Sequence, residues 1–185
     1  DVPVISGVIT GSAVEDGTLH AAGALTILDP DTGQSAFQAA ANVALPHGTF
    51  NLLANGQWTY DLNNASVQSL GANDSISDTF TALSLDGTAS KSITITIQGT
   101  NDVPVISGVI TGSAVEDGTL HAAGALTIAD PDTGQSAFQP ASNVVLPHGV
   151  LNLLANGQWT YDLNNASVQS LGANDSISDT FTALS

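Results

Sequence analysis

The chain repeats itself. Asp1-Val-Pro-Val-Ile-Ser-Gly7 recurs as Asp102-Val-Pro-Val-Ile-Ser-Gly108, an offset of 101 residues, and the match runs to the last residue, pairing 1–84 with 102–185. Six aligned positions differ (Leu28/Ala129, Ala39/Pro140, Ala41/Ser142, Ala44/Val145, Thr49/Val150 and Phe50/Leu151), leaving 78 of 84 identical. Whatever fold forms must therefore close within about one period, and roughly 100 residues is the size of one β-sandwich. We expect residues 1–101 to be a complete domain and 102–185 a second one. The first copy continues past Ser84 through Ser92-Ile-Thr-Ile-Thr-Ile-Gln98 to Asn101, whereas the second ends at Ser185, the equivalent of Ser84. The second domain is thus expected to lack its final strand. Two explanations stand side by side: a cut through a longer repetitive polypeptide, or completion by a strand from another chain through the open edge.

Short alternating runs bounded by Gly, Asn, Asp and Pro recur about every ten residues, with little helical periodicity, which is an all-β sandwich pattern. The expected strands are Val2–Ile9 (an edge strand, because of Pro3), Ala24–Leu28, Ser35–Gln38 resuming at Val43–Leu45, Thr49–Ala54, Gln57–Leu62, Ser75–Ser84 and Ser92–Gln98. Asn55-Gly56 is the strongest hairpin signal in the chain. In the last strand Ile93, Ile95 and Ile97 face inward. A helical turn is expected around Ser66–Leu70. Taking Pro46-His47-Gly48 as a three-residue loop places Ala44 opposite Phe50, so the change to Val145 and Leu151 reads as volume-conserving repacking of a contacting pair.

Charge narrows the partners. There are 17 acidic side chains against one basic, Lys91, a net charge of −16. A single lysine cannot neutralise a phosphate backbone or hold an anionic lipid surface, which excludes nucleic acid and a basic membrane patch. Charged residues are only 10% of the chain and apolar ones 42%, so a packed core is expected rather than an acidic disordered tail. No apolar run is long enough to span a membrane, and no signal peptide is visible at the N-terminus. Without cysteine there are no disulfides or thiolate metal sites.

If the first strand runs downward, strand alternation sorts the acids by end. Glu15, Asp16 and Asp74 fall at the bottom of the first copy with linker residues Asn101 and Asp102, while Asp130 and Asp132 fall at the top of the second. Both sets are expected at the interdomain junction. Glu-Asp-Gly and Asp-Pro-Asp-Thr-Gly are each ordinary acidic turns when taken alone. Together with the linker and the net charge they point to calcium, a hard ion that takes six to eight oxygens, because no sulfur or imidazole pair is available for zinc.

Val14-Glu-Asp-Gly-Thr-Leu19, Gly23-Ala-Leu-Thr-Ile27 with Asp29-Pro-Asp31, Asn55-Gly-Gln-Trp-Thr-Tyr60, Val67-Gln-Ser-Leu70, Asp78-Thr-Phe-Thr81 and Ile95-Thr-Ile-Gln-Gly-Thr-Asn-Asp102 resemble, in this order and over the whole period, the VCBS repeat of large bacterial RTX-type adhesins. The resemblance implies tandem Ig-like or cadherin-like β-sandwiches, extracellular or cell-surface location after export, calcium at the junctions, and a role as an extender in adhesion or biofilm formation. Its partners would be neighbouring repeats of the same polypeptide. Where the second copy lacks the equivalent of Ser92–Asp102, a lower calcium site around Glu116, Asp117 and Asp175 is incomplete.

No nucleophile–base pair or carboxylate dyad in a cleft is apparent, so no enzyme is expected. His20, His47, His121 and His148 read as exposed turn residues. A carbohydrate-binding adhesive module is the main alternative, but Trp58 and Tyr60 share a strand face with Leu62 and belong in a core rather than on a sugar platform. A fibre subunit completed by strand donation is a third reading.

Overall fold

Alternation writes the first sheet. In Gln57–Leu62 every second side chain (Trp58, Tyr60, Leu62) is buried, the period-2 pattern of a strand with one face on a core. In the computed structural model, which describes residues 1–185, the chain divides into two units, Asp1–Asp102 and Val103–Ser185. The first contains β1 (Val4–Gly7), β2 (Thr10–Val14), β3 (His20–Leu28), β4 (Ala40–Ala44), β5 (Gly48–Leu52), β6 (Gln57–Leu62), a 3-10 turn at Asn64–Ser66, β7 (Ser75–Leu83) and β8 (Ser90–Gln98). One sheet has the order β1-β3-β6-β5-β4 and the other β2-β8-β7. Every pairing is antiparallel except β2 with β8, which is parallel.

The two sheets close over a common core. Leu25, Phe50, Leu52, Trp58 and Tyr60 face Ala13, Ala82, Ile93, Ile95 and Ile97, with Phe37 and Val67 filling the ends. Phe50 stacks on Trp58 at 5.8 Å and on Phe80 of the facing sheet at 4.4 Å, tying the layers together. Trp58 lies across from Gly23, and a Cβ there would stand 2.5 Å from the indole ring, so only glycine lets the ring lie flat on β3. The indole N–H donates to the Val8 carbonyl at 2.9 Å. Each large apolar side chain buried this way contributes on the order of 1.5–3 kcal/mol.

Three expectations need correction. The strand expected over Val2–Ile9 is only β1, an edge strand that starts just after Pro3; the chain then passes Gly7 (φ +106°) and crosses to the other sheet, where Thr10–Val14 forms a further strand, β2. The first repeat thus has eight strands rather than seven. The β4–β5 connection is a two-residue turn, Pro46-His47, closed by Leu45 N–H donating to Gly48 O, and it sets Val43 opposite Phe50 and Ala44 opposite Thr49. Ala44 is exposed while Phe50 is buried, so the proposed Ala44–Phe50 repacking pair lies on opposite faces and the idea fails. The helical turn begins at Asn64, before Ser66.

The second unit carries β9 (Val105–Gly108), β10 (His121–Ala129), β11 (Ala141–Val145), β12 (Gly149–Leu153), β13 (Gln158–Leu163) and a 3-10 turn at Asn165–Ser167. Its one sheet, β9-β10-β13-β12-β11, reproduces the five-stranded sheet of the first unit. The stretches 111–115 and 176–184 are identical in sequence to β2 and β7, yet they form no strands, because the partner both of those strands share is β8.

Candidate functional site

The parallel β2–β8 pairing carries Glu15 inward. Its backbone N–H donates to Gln98 O at 2.9 Å, extending the ladder by one residue, and the side chain ends wholly buried. Glu15 Oε1 accepts from Gln68 Nε2 at 3.0 Å and Oε2 from the Thr100 backbone N–H at 3.2 Å. The chain then turns sharply: Asp16 adopts φ +52°, and Gly17 N–H donates back to Val14 O. The Asp16 backbone N–H donates to Asn64 Oδ1 at 2.9 Å, while its carboxylate accepts from Asn64 Nδ2 and from Gln68 Nε2 at 3.2 Å. The Asn64 bond first, then the Gln68 bond, holds the Asp16 carboxyl below the usual aspartate value. Desolvation opposes this, and the Asp102 side chain adds a further hydrogen-bonding interaction. Glu15, Asp16 and Asp102 are thus brought together around neutral amide donors. The one lysine, Lys91, lies at the far end of β8, roughly 23 Å from Gln98 at strand rise.

Asp74 and Asn101 reach the same end without joining in by their carboxylate or amide oxygen. Asp74 O accepts from Gly99 N–H at 3.0 Å, but Asp74 Oδ2 caps its own turn, accepting from Gly71 N–H at 3.1 Å. Asn101 Nδ2 donates to Asp102 O at 2.7 Å. Gln68, Asn64 and Thr100 escaped the sequence reading. The only available signal was the four-residue spacing of Asn64 and Gln68, which a single turn brings onto one side.

A second acidic group occupies the opposite end of the first repeat, after β3. Asp31 N–H donates to Asp29 Oδ1 at 2.9 Å, an Asx turn, and Asp29 N–H donates to Ser35 Oγ at 3.1 Å. Asp29 is buried, and its Oδ2 has no hydrogen-bond partner. The second unit builds the same turn: Asp132 N–H donates to Asp130 Oδ1 at 3.0 Å and Asp130 N–H to Ser136 Oγ at 3.0 Å, with Asp132 buried. Also in the second unit, Asp117 accepts from Asn165 Nδ2 at 2.8 Å, and Glu116 Oε2 is buried without a hydrogen-bond partner.

Nowhere do three or more His, Asp or Glu side chains stand in an arrangement that by itself could hold a metal ion. The carboxylates of Glu15, Asp16 and Asp102 are hard oxygen donors of the kind a divalent cation takes, with no sulfur or imidazole among them, although the amides of Asn64 and Gln68 turn their N–H groups toward Glu15 and Asp16. Such an ion would complete its shell with water and further oxygens.

The histidines are neither isolated nor all in turns. His20, on β3, pairs with Asp61 at 2.7 Å on the surface. His47 donates from its backbone N and from Nδ1 to Asp78, at 3.0 and 2.8 Å, and the Tyr60 hydroxyl donates to the same carboxylate at 2.8 Å. Asp78 is 1% exposed. The network recurs as His148, Tyr161 and Asp179. Trp58, also 1% exposed, offers no face to a sugar.

The bacterial cadherin-like domain family model matches residues 1–99. No curated protein matches the chain. Among solved structures it is similar to PcdhgB3 EC1-4 (14% identity, TM-score 0.46) and to protocadherin gamma B7 extracellular cadherin domains 1-4 (15% identity, TM-score 0.46). In each case 88% of this chain is covered, and the chain spans 41% of the other's length.

Proposed function

Since the chain belongs to the bacterial cadherin-like domain family, we propose that it is an extracellular extender, a row of β-sandwich repeats that holds another part of a large adhesive protein at a distance. The parent protein on this reading is a repetitive RTX-type bacterial adhesin of the VCBS class, exported to the cell surface or secreted and serving adhesion and biofilm formation. Adhesion domains of this family are typically non-enzymatic, and no helix of the chain is long and apolar enough to cross a membrane.

The observation that carries this reading is the placement of acids within a repeat whose fold repeats along the chain. Glu15, Asp16 and Asp102 gather where the first repeat ends, and the Asp29/Asp31 turn where its strands begin is rebuilt as Asp130/Asp132. Glu15, Asp16, Asn101, Asp102, Asp130 and Asp132 are the proposed calcium ligands, with Asp74 contributing charge from its turn. Calcium would supply neutralisation and bridging among carboxylates that otherwise repel by about 1 kcal/mol per close pair even in water. By binding only folded repeats it would stabilise them through mass action and fix the angle between successive repeats. Affinity on the order of 0.1–1 mM suits an extracellular module.

Small-angle scattering and thermal melting with calcium and with EDTA test the proposal. Calcium should raise the melting temperature and narrow the range of particle lengths, and Asp102→Asn should shift half-saturation upward on the order of tenfold, through the lost ligand charge. Identical scattering and melting in both conditions would sink it.

A further inference from the structure

Tension crosses a folded repeat from the strand where it enters to the strand where it leaves. In the first repeat these two are neighbours: tension at Asp1 passes through β1 into β2, and tension at Asp102 draws on the end of β8. β2 and β8 pair in parallel, from Thr10 beside Thr94 to Val14 beside Gln98. Thr94 N–H donates to Ile9 O and Glu15 N–H to Gln98 O, both at 2.9 Å, so the ladder runs one residue past β2 at either end. Because neighbouring residues of a strand turn alternately toward and away from a partner, Gly11 and Ala13 present their backbone groups to β8 in between. Past Gln98 the seam continues: Thr100 N–H donates to Glu15 Oε2 at 3.2 Å, and Thr100 Oγ1 to Glu15 O at 3.4 Å. Its inner side is closed to water, since Ala13, Glu15, Ile95 and Ile97 are wholly buried.

We propose that this parallel pair is a shear clamp, which makes the first repeat resist extension along the chain. In a parallel pair the entry end of one strand and the exit end of the other lie at opposite ends of the ladder. Pulling on those two ends slides β2 along β8, so all the bonds from Ile9 to Thr100 are loaded together and none opens before its neighbours. Two strands drawn apart from the same end, by contrast, open one bond at a time. β1 stands outside the clamp. It is a four-residue edge strand held by β3 alone, and it yields first, lengthening the chain only by the residues before β2. Glu15 has a second task here, joining β2 to the residues just past β8. The use of the clamp rests on the extender reading, in which the chain carries load; the ladder itself does not.

Single-molecule pulling of the full chain in EDTA tests it, the chelator keeping a failed clamp distinct from a failed calcium test. Held at its two termini, the chain should show one high-force rupture that releases residues 10–98, a contour gain of roughly 300 Å at extended-chain spacing. The chain has no cysteine, so Thr88→Cys supplies a single handle just before β8. Pulling between that handle and the N-terminus draws β2 and β8 apart from the same end and should rupture the repeat at severalfold lower force. Ala13→Pro, which removes a donor from the middle of the ladder, should lower the terminal rupture force severalfold. Tyr60→Phe breaks a bond to β7 and none to β2 or β8. It should lower the urea midpoint of the first repeat and leave the rupture force unchanged, because forced unfolding follows the barrier under load rather than the equilibrium. Equal forces in the two pulling directions overturn the clamp, as does a Tyr60→Phe chain as weak under load as Ala13→Pro. Should Ala13→Pro prevent folding, the two pulling directions decide alone.

Discussion

Asp78 shows how much one side chain can fix. Wholly inside the first repeat, it gathers His47 from the β4–β5 turn and Tyr60 from β6 onto β7, so three elements depend on one carboxylate. The Tyr60 hydroxyl is pushed well above its ordinary pKa by burial and then by the bond and charge of Asp78. The Tyr161 hydroxyl, in the same setting, is pushed to about 12. A pKa raised in the folded state means that the stabilisation is fully present below the unfolded value of about 10 and is lost as pH rises through the folded value. Both repeats should therefore lose stability progressively above about pH 10. Tyr60→Phe should cost the first repeat about 2 kcal/mol at neutral pH, because a hydrogen bond to a buried carboxylate is lost, and should flatten its alkaline limb. Urea denaturation across a pH series measures both; an unchanged alkaline limb would contradict the assignment. Alternation alone placed Tyr60 in the core. Asp78 stands 18 residues from Tyr60 and 31 from His47, separations that leave no local trace, which is why His47 read as an exposed turn residue.

Among the elements, β8 outweighs the others. Two strands depend on it for pairing, and its three isoleucines cover the floor built by Trp58 and Phe50. Ile95→Ala should destabilise the first repeat by about 2–5 kcal/mol, the transfer and cavity cost of a truncated buried isoleucine. Thr96→Ala, on the exposed face, should stay within about 0.5 kcal/mol. Chemical denaturation distinguishes the two, and equal effects would mean that the inward face is wrongly assigned. This strand was legible because Ile-Thr-Ile-Thr-Ile states its period outright, as Gln57–Leu62 does. β2 was not: Thr-Gly-Ser-Ala-Val has small residues and no alternation, and its partner begins some 80 residues later. The β4–β5 register depended on turn length, and misjudging that by one residue turned Ala44 onto the wrong face. The candidate site was legible to the extent that strand parity placed Glu15, Asp16, Asp74, Asn101 and Asp102 at one end of the first repeat. Which of their oxygens face one another depended on Asn64, Gln68 and Thr100, polar residues with no signature of their own.

At the scale of the whole chain, a polypeptide of residues 1–185, which holds β8 in its first repeat alone, should not melt as one. The first encloses a two-sheet core, while the second leaves Trp159 and Ile177 partly in water. Calorimetry should resolve two transitions, the lower belonging to the second repeat and the upper to the first. A single two-state transition would refute this. The position of β8 also has a consequence in time. A repeat whose second sheet is organised around its last strand, with β2 paired across some 80 residues of chain, cannot assemble that sheet piecemeal as the polypeptide emerges. A repeat made from its N-terminus onward must wait, soft and open, until almost its final residue is free, and only then can it set. The first repeat thus has a built-in delay between synthesis and rigidity, set by the position of one strand in the chain.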